Sequence, residues 1–255
     1  MFQVVSTKPK RLKMIFKILA HIQVPSLQFI ADEKGVVVNA LDNLHTTHTY
    51  LKLEPLFFLD YLCDEIVRFS LDMEEVMKII NRAHNDDRII ITLENNGLRF
   101  SFINEKSFRE ESPAPRRRFR VKLIDEDYDT PNTPILEYSS EIMMPSQTLR
   151  DIVQDTCVFT HDIIRLTCTN KCFYAEAEGL YGSISHKYDH NPSPDEENDG
   201  VVGLFSVDKL ELISEGYNFS DKVLVSLGEN IPGRFIYNQV NACLIFTLAP
   251  RGMVK

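Results

Sequence analysis

"FSLDMEEVMKII", residues 69–80, reads as a strand end running into a helix, and the chain nearly repeats it as "FSVDKLELIS" at 205–214, an offset of 136. The neighbours repeat too. "DDRIIITLENN" (86–96) meets "SDKVLVSLGEN" (220–230) at 134, with Asp87, Ile89, Ile91 and Leu93 on Asp221, Val223, Val225 and Leu227. Both alternate and are β-branched, as strands are. Upstream, "LQFIADEKGVVVNA" (27–40) meets "IRLTCTNKCFYAEA" (164–177) at 137, with Lys34 on Lys171 at a turn between strands. "LKMIF" (12–16) meets "LRDIV" (149–153), again at 137. Four elements in one order at nearly one offset make the chain a duplication. Each half runs strand, helix, strands, helix, strands. The fold class is therefore α+β, with domains at 1–121 and 141–255. The connector, 122–140 ("KLIDEDYDTPNTPILEYSS"), is acidic and carries two prolines, the mark of an exposed link.

Composition sets the class. The 255 residues are 44% hydrophobic and 25% charged, with 16 Phe and no Trp, which is globular. The opening "KPKRLKMIFKILAHI" is broken by lysines and does not read as a signal peptide. Five cysteines without a disulfide pattern point to a reducing compartment. A net charge of −9 argues against a general nucleic-acid binder, but the distribution is uneven.

No GxGxxG, P-loop, G-x-S-x-G or H-E-x-x-H occurs, and no histidine forms an evident triad, so nothing supports an enzyme, a catalytic residue or a cofactor. Cys168, Cys172, His186 and His190 have the spacing C-x3-C-x13-H-x3-H, close to a zinc finger. A finger needs its histidines on a helix, whereas "LYGSISHKYDHNPS" alternates like a strand and ends in proline. A zinc-binding nucleic-acid module is thus an alternative of another class, and buried or edge thiols are the simpler reading.

Helical periodicity puts Leu12, Ile15, Phe16 and Leu19 on one face of the first helix, with Lys10, Lys13 and Lys17 on another. In the second helix Met73, Val76 and Ile80 face inward, and Lys78 and Arg82 stand one turn apart. The second copy mixes signs: Arg150 with Asp151 and Asp155, then Lys209 with Asp208, Glu211 and Glu215. The first domain is therefore expected to carry most of any phosphate contact.

The opening "MF", "ALDNLH" (40–45), "KLIDED" (122–127), "MPSQTL" (144–149) and "FTLAPR" (246–251) follow one another on this duplicated chain. In that order they resemble the proliferating cell nuclear antigen family of DNA sliding clamps, over nearly the whole length. The resemblance implies a head-to-tail trimeric ring with sheets outside and helices lining a hole for duplex DNA. The ring would be a non-catalytic processivity factor that tethers DNA polymerase and other replication and repair proteins, and a clamp loader is an implied partner. It implies DNA contact without sequence reading by Lys10, Lys13, Lys17, Lys78, Arg82, Arg150 and Lys209. It implies a partner-peptide pocket at Leu41, His45, Tyr128, Pro131, Ile135, Pro232, Ala249 and Pro250. Subunits would meet through edge strands bearing Phe119, Val121, Tyr181 and Ile184. Family basic positions fall here on Gln154, Asp208 and Glu215, which raises a subunit of a heterotrimeric checkpoint-type clamp as an alternative. The site of action would be the nucleus of a eukaryote, or the cytoplasm for an archaeon or a cytoplasmic virus.

Overall fold

The computed structural model describes residues 1–22, 24–104, 117–125, 131, 135–169, 171–189 and 200–252. The chain forms two compact units: Met1–Asn43, Tyr50–Pro131 and Val240–Cys243 in the first, Leu44–Thr49, Asn132–Gln239 and Leu244–Lys255 in the second. In the first unit an antiparallel sheet has the order β5-β1-β7-β8-β9: Asp60–Cys63, Phe2–Ser6, Asp87–Glu94, Gly97–Asn104 and Arg117–Lys122. Strands β2 (Leu27–Asp32) and β3 (Gly35–Leu41) form a hairpin, and β6 (Val67–Leu71) pairs with β2. The second unit has β10 (Ser140–Pro145) on β15 (Lys222–Leu227) on β16 (Gly233–Gln239). It also has a four-stranded sheet ordered β13-β12-β11-β14: Gly182–Asp189, Cys172–Gly179, Ile163–Cys168 and Val201–Ser206. Strands β4 (Thr47–Leu53) and β17 (Ala242–Leu248) contribute residues to both units.

Each unit sets a pair of helices against its sheets. Helix α1 (Pro9–Ala20) starts on proline, whose missing N–H costs nothing at a helix start. It buries Leu12, Ile15, Phe16 and Leu19, the face that periodicity marked. Helix α2 (Met73–Ile80) buries Met73, Val76 and Ile80. Helix α3 (Ser146–Cys157) buries Leu149, Ile152 and Val153, and α4 (Val207–Ser214) buries Val207, Leu210 and Ile213. At the β2–β3 turn Gly35 has φ 123°, and a Cβ there would stand 2.0 Å from the Leu53 carbonyl oxygen, so the turn excludes any side chain.

The duplication holds, but the alignment of the two "FS" motifs is corrected by strand register. Leu27 pairs with Leu71 in the first unit, and Ile164, its equivalent at 137, pairs with Phe205 in the second. Leu71 and Phe205 are thus counterparts, at 134. Both ends of α4 lie 134 beyond those of α2. The motifs matched at 136 because a slip of two residues keeps every strand side chain on its own face. Phe69 corresponds to Gly203, over which the Phe205 ring leans back; a Cβ on Gly203 would stand 2.5 Å from that ring. The Phe205 ring thus takes the space that a side chain at 203 would need.

The shift also reassigns the aspartates. Asp72 is the N-cap of α2, its Oδ1 accepting from the Glu74 and Glu75 amides at 2.8 and 3.4 Å. Its counterpart is Ser206, the N-cap of α4, whose side chain makes no cap bond. Asp208 stands inside the helix. Asp72→Ala should therefore cost about 1 kcal/mol, and Ser206→Ala clearly less. Urea unfolding of the two variants compares them, and equal losses would contradict this cap assignment.

Candidate nucleic-acid interface

The lysines of α1 do not share one environment. Lys10 and Lys17 are exposed. Lys13 is half-buried and turns across to the end of α2, where its Nζ donates to the Ala83 carbonyl at 2.6 Å and lies 3.5 Å from that of Asn81. Asn81 is the C-cap of α2, where the last carbonyls lack intrahelical donors and carry the negative end of the helix dipole; Ala83 lies just beyond it. An ammonium there clasps α1 to α2.

The offset of 137 places Arg150 of α3 on Lys13, and Arg150 clasps α4 in the same way. Its Nη1 donates to Ser214 Oγ at 2.9 Å and approaches the Glu211 carbonyl at 3.4 Å. Its Nη2 lies 3.0 Å from Glu215 Oε1, and the two side chains are only 12% and 15% exposed. The guanidinium also stands over the Tyr217 ring at 5.6 Å. Arg150 and Glu215 are thereby committed to each other within the second unit.

The other basic positions are more open. Lys78 is exposed and pairs with Glu75 at 2.5 Å. That hydrogen bond holds its ammonium above the usual lysine range, though such exposed pairs add little stability. Arg82 is exposed, and its carbonyl accepts from Arg117 Nη1 at 2.7 Å. Arg117 also binds the buried carboxylate of Asp87, a role the spacing of residues gave no sign of. Lys209 is half-buried on α4. Helices α1 and α2 together carry five cations against two carboxylates, and α3 and α4 two against four. A surface that could hold phosphates is concentrated on the first pair.

The quartet proposed for zinc is not gathered. In the β12–β13 ladder Cys172 faces Asp189, and His186 faces Ala175 three residues along, about 10 Å away. The Cys172 thiol donates to Asp189 at 3.0 Å, Ser140 donates to Cys168 at 3.1 Å, and His186 Nε2 lies 3.3 Å from Asp155. His190 lies outside the described residues. The spacing counted residues, whereas antiparallel register decides which of them meet. A different group does converge, Cys157, His161 and Glu211. Burial, then Glu211 and Asp208, push the Cys157 thiol up. Sequence reading missed this group because Glu211 lies fifty residues from His161.

Of the residues implied for the peptide pocket, Leu41 is half-buried on β3, and the Pro131 carbonyl accepts from Asn39 at 2.8 Å, both in the first unit. In the second unit His45 is exposed in the left-handed region at φ 56°, a strained backbone of the kind binding sites retain. The Ala249 amide donates to the Thr46 carbonyl at 2.8 Å, Pro232 and Pro250 are half-buried, and Ile135 is 99% exposed. Tyr128 lies outside the described residues. Strands β9 and β13 each end their sheet. Tyr181, at the turn before β13, is 95% exposed, Phe119 and Ile184 are half-buried, and Val121 is buried in its own unit.

The profile of the proliferating cell nuclear antigen N-terminal domain matches residues 1–130. A DNA polymerase sliding clamp of Methanothermobacter thermautotrophicus is 31% identical over 253 residues, 98% of each chain. Proliferating cell nuclear antigen of Caenorhabditis elegans is 25% identical over 252 residues, 93% of each. The crystal structure of the Entamoeba histolytica antigen superposes with a TM-score of 0.86 at 18% identity, over 98% of this chain and 99% of that one; it speaks for the fold. These similarities do not favour the checkpoint-type subunit or the zinc module.

Proposed function

The chain belongs to the proliferating cell nuclear antigen family, and from that premise we propose that it is a DNA sliding clamp whose copies close into a homotrimeric ring around duplex DNA. The ring holds DNA polymerase and other replication and repair proteins on their template, and does so by topology, without catalysis. Three copies joined head to tail would use the open edges of β9 and β13, which present unpaired backbone groups to another chain. Partner peptides would dock in the second unit around His45, Pro232, Ala249 and Pro250, beside the tail strand. The protein would act where its genome is replicated, in a nucleus or, for an archaeon or cytoplasmic virus, in cytoplasm.

The observation that carries this reading is the charge contrast of the helices. In a chain with net charge −9, α1 and α2 hold five cations against two carboxylates. Such a surface tracks phosphates without reading bases.

The test is retention after loading onto a nicked circular duplex. The protein should stay on the closed circle through a salt wash and leave when a restriction enzyme linearises it. Equal retention on circle and linear DNA would mean direct binding rather than encirclement, and the clamp reading would fail.

A further inference from the structure

In the second unit the end of α3 meets the first turns of α4 at Cys157, His161 and Glu211. Their ligand atoms all lie within 4.8 Å of one another. Cys157 is the last residue of α3, and His161 follows in a turn that its own backbone bonds hold. Phe159 and Thr160 both donate to the Thr156 carbonyl, at 2.9 and 3.0 Å, and Thr160 Oγ1 accepts from the Asp162 amide at 3.1 Å. Glu211 stands on α4, with its carbonyl 3.4 Å from Arg150 of α3. Thus the clasp that joins the helices also touches the backbone of the third member of the cluster. Asp208 Oδ1 lies 3.2 Å from His161 Nδ1. A carboxylate at Nδ1 holds the proton there and leaves Nε2 as the donor atom for a metal.

From this convergence we infer that Cys157, His161 and Glu211 form a site for a borderline-soft divalent cation of the zinc class, with Asp208 orienting the imidazole. A thiolate, an imidazole and a carboxylate suit zinc and cobalt(II), not magnesium or calcium. Tetrahedral zinc sets its ligands roughly 3.5 Å apart, so the three side chains close in by about an ångström, and water fills the fourth position. On binding, the Cys157 S–H bond breaks, its electron pair goes to the metal, and one proton leaves to solvent. With the proton gone, binding adds one net positive charge to a helix pair that carries four carboxylates against two cations. This site rests on the second unit's own geometry and stands whether or not the ring reading does.

Cobalt(II) titrated into the full-length protein under a non-thiol reductant tests the site. The expected result is one equivalent bound, with thiolate-to-cobalt charge-transfer absorption that zinc bleaches and excess magnesium does not. Cys157→Ser abolishes the band. His161→Ala and Glu211→Gln each weaken binding at least tenfold, as does Asp208→Asn, since loss of such an orienting partner typically costs about 10–100-fold. Cys243→Ser, at a half-buried thiol elsewhere, leaves the band unchanged. His161 is 62% exposed, so its removal leaves the fold intact, which far-ultraviolet circular dichroism checks. The inference is overturned by absence of the band, by a band that survives Cys157→Ser, or by affinities within twofold of the parent for both His161→Ala and Glu211→Gln.

Discussion

Arg150→Ala should lower the stability of the protein by about 3 kcal/mol, the low end of what breaking a buried ion pair costs when one charge is left behind. The charge that loses its guanidinium is Glu215, 15% exposed. For a chain of this size that is a fall in melting temperature of roughly 6–12 °C. Arg150→Lys should recover only part of the loss. A lysine can reach one acceptor, while the guanidinium fork engages Ser214 and Glu215 together. Calorimetry gives the midpoints, and a shift under about 2 °C for the alanine variant would show that Arg150 does not clasp α3 to α4. The salt dependence of DNA retention should stay as it was, because this guanidinium is already engaged inside the unit. A flattened salt slope at unchanged stability would reverse both conclusions.

Lys10→Glu with Lys17→Glu should do the opposite, leaving the melting temperature in place while loosening the hold on DNA. Both side chains are exposed. Each cation that neutralises a phosphate adds about 0.9 to the slope of log affinity against log salt. Removing two per subunit lowers that slope by roughly two for every subunit in contact, and retention on circular DNA should fall at least tenfold near physiological salt. The reciprocal change is Gln147→Lys with Gln154→Lys on α3. Those positions correspond to Lys10 and Lys17 at 137, and the new lysines should raise the slope by a similar amount. Should charge reversal on α1 leave the slope untouched, α1 does not face the phosphates.

The apolar stripes of α1 and α2 and the two hairpins could be read from periodicity, because burial on one face is what a 3.6- or 2-residue period encodes; the two sheet edges came from the family resemblance. Register could not be read so closely. The "FSLD" and "FSVD" motifs aligned at 136, since a two-residue slip leaves inside and outside unchanged; only the pairing of Leu27 with Leu71 and of Ile164 with Phe205 shows the counterparts to be 134 apart. Side-chain commitments were also out of reach. Lys10, Lys13 and Lys17 look alike as a stripe, yet Lys13 alone turns to the end of α2. Its destination depends on where another helix ends, seventy residues away. The cysteine–histidine spacing misled for a related reason. Cys172 and His186 have ligand-like spacing along the chain, but the β12–β13 ladder sets them three residues out of register.

A gene that holds two versions of one domain runs its own comparison of what must be kept and what can drift. Along the stripe on the first helix of each unit, the middle position is Lys13 in one and Arg150 in the other. The flanking pair changes from Lys10 and Lys17 to Gln147 and Gln154. The middle cation answers to a neighbouring helix, and both versions still have that neighbour. The flanking positions are exposed in both versions, lysines in the first and glutamines in the second. Counting lysines would treat all three sites as one kind of surface. The clasp sets the middle site apart as a demand of the fold, and in the proposed clamp it is the flanking pair that meets the phosphates and can be retuned without unmaking the domain.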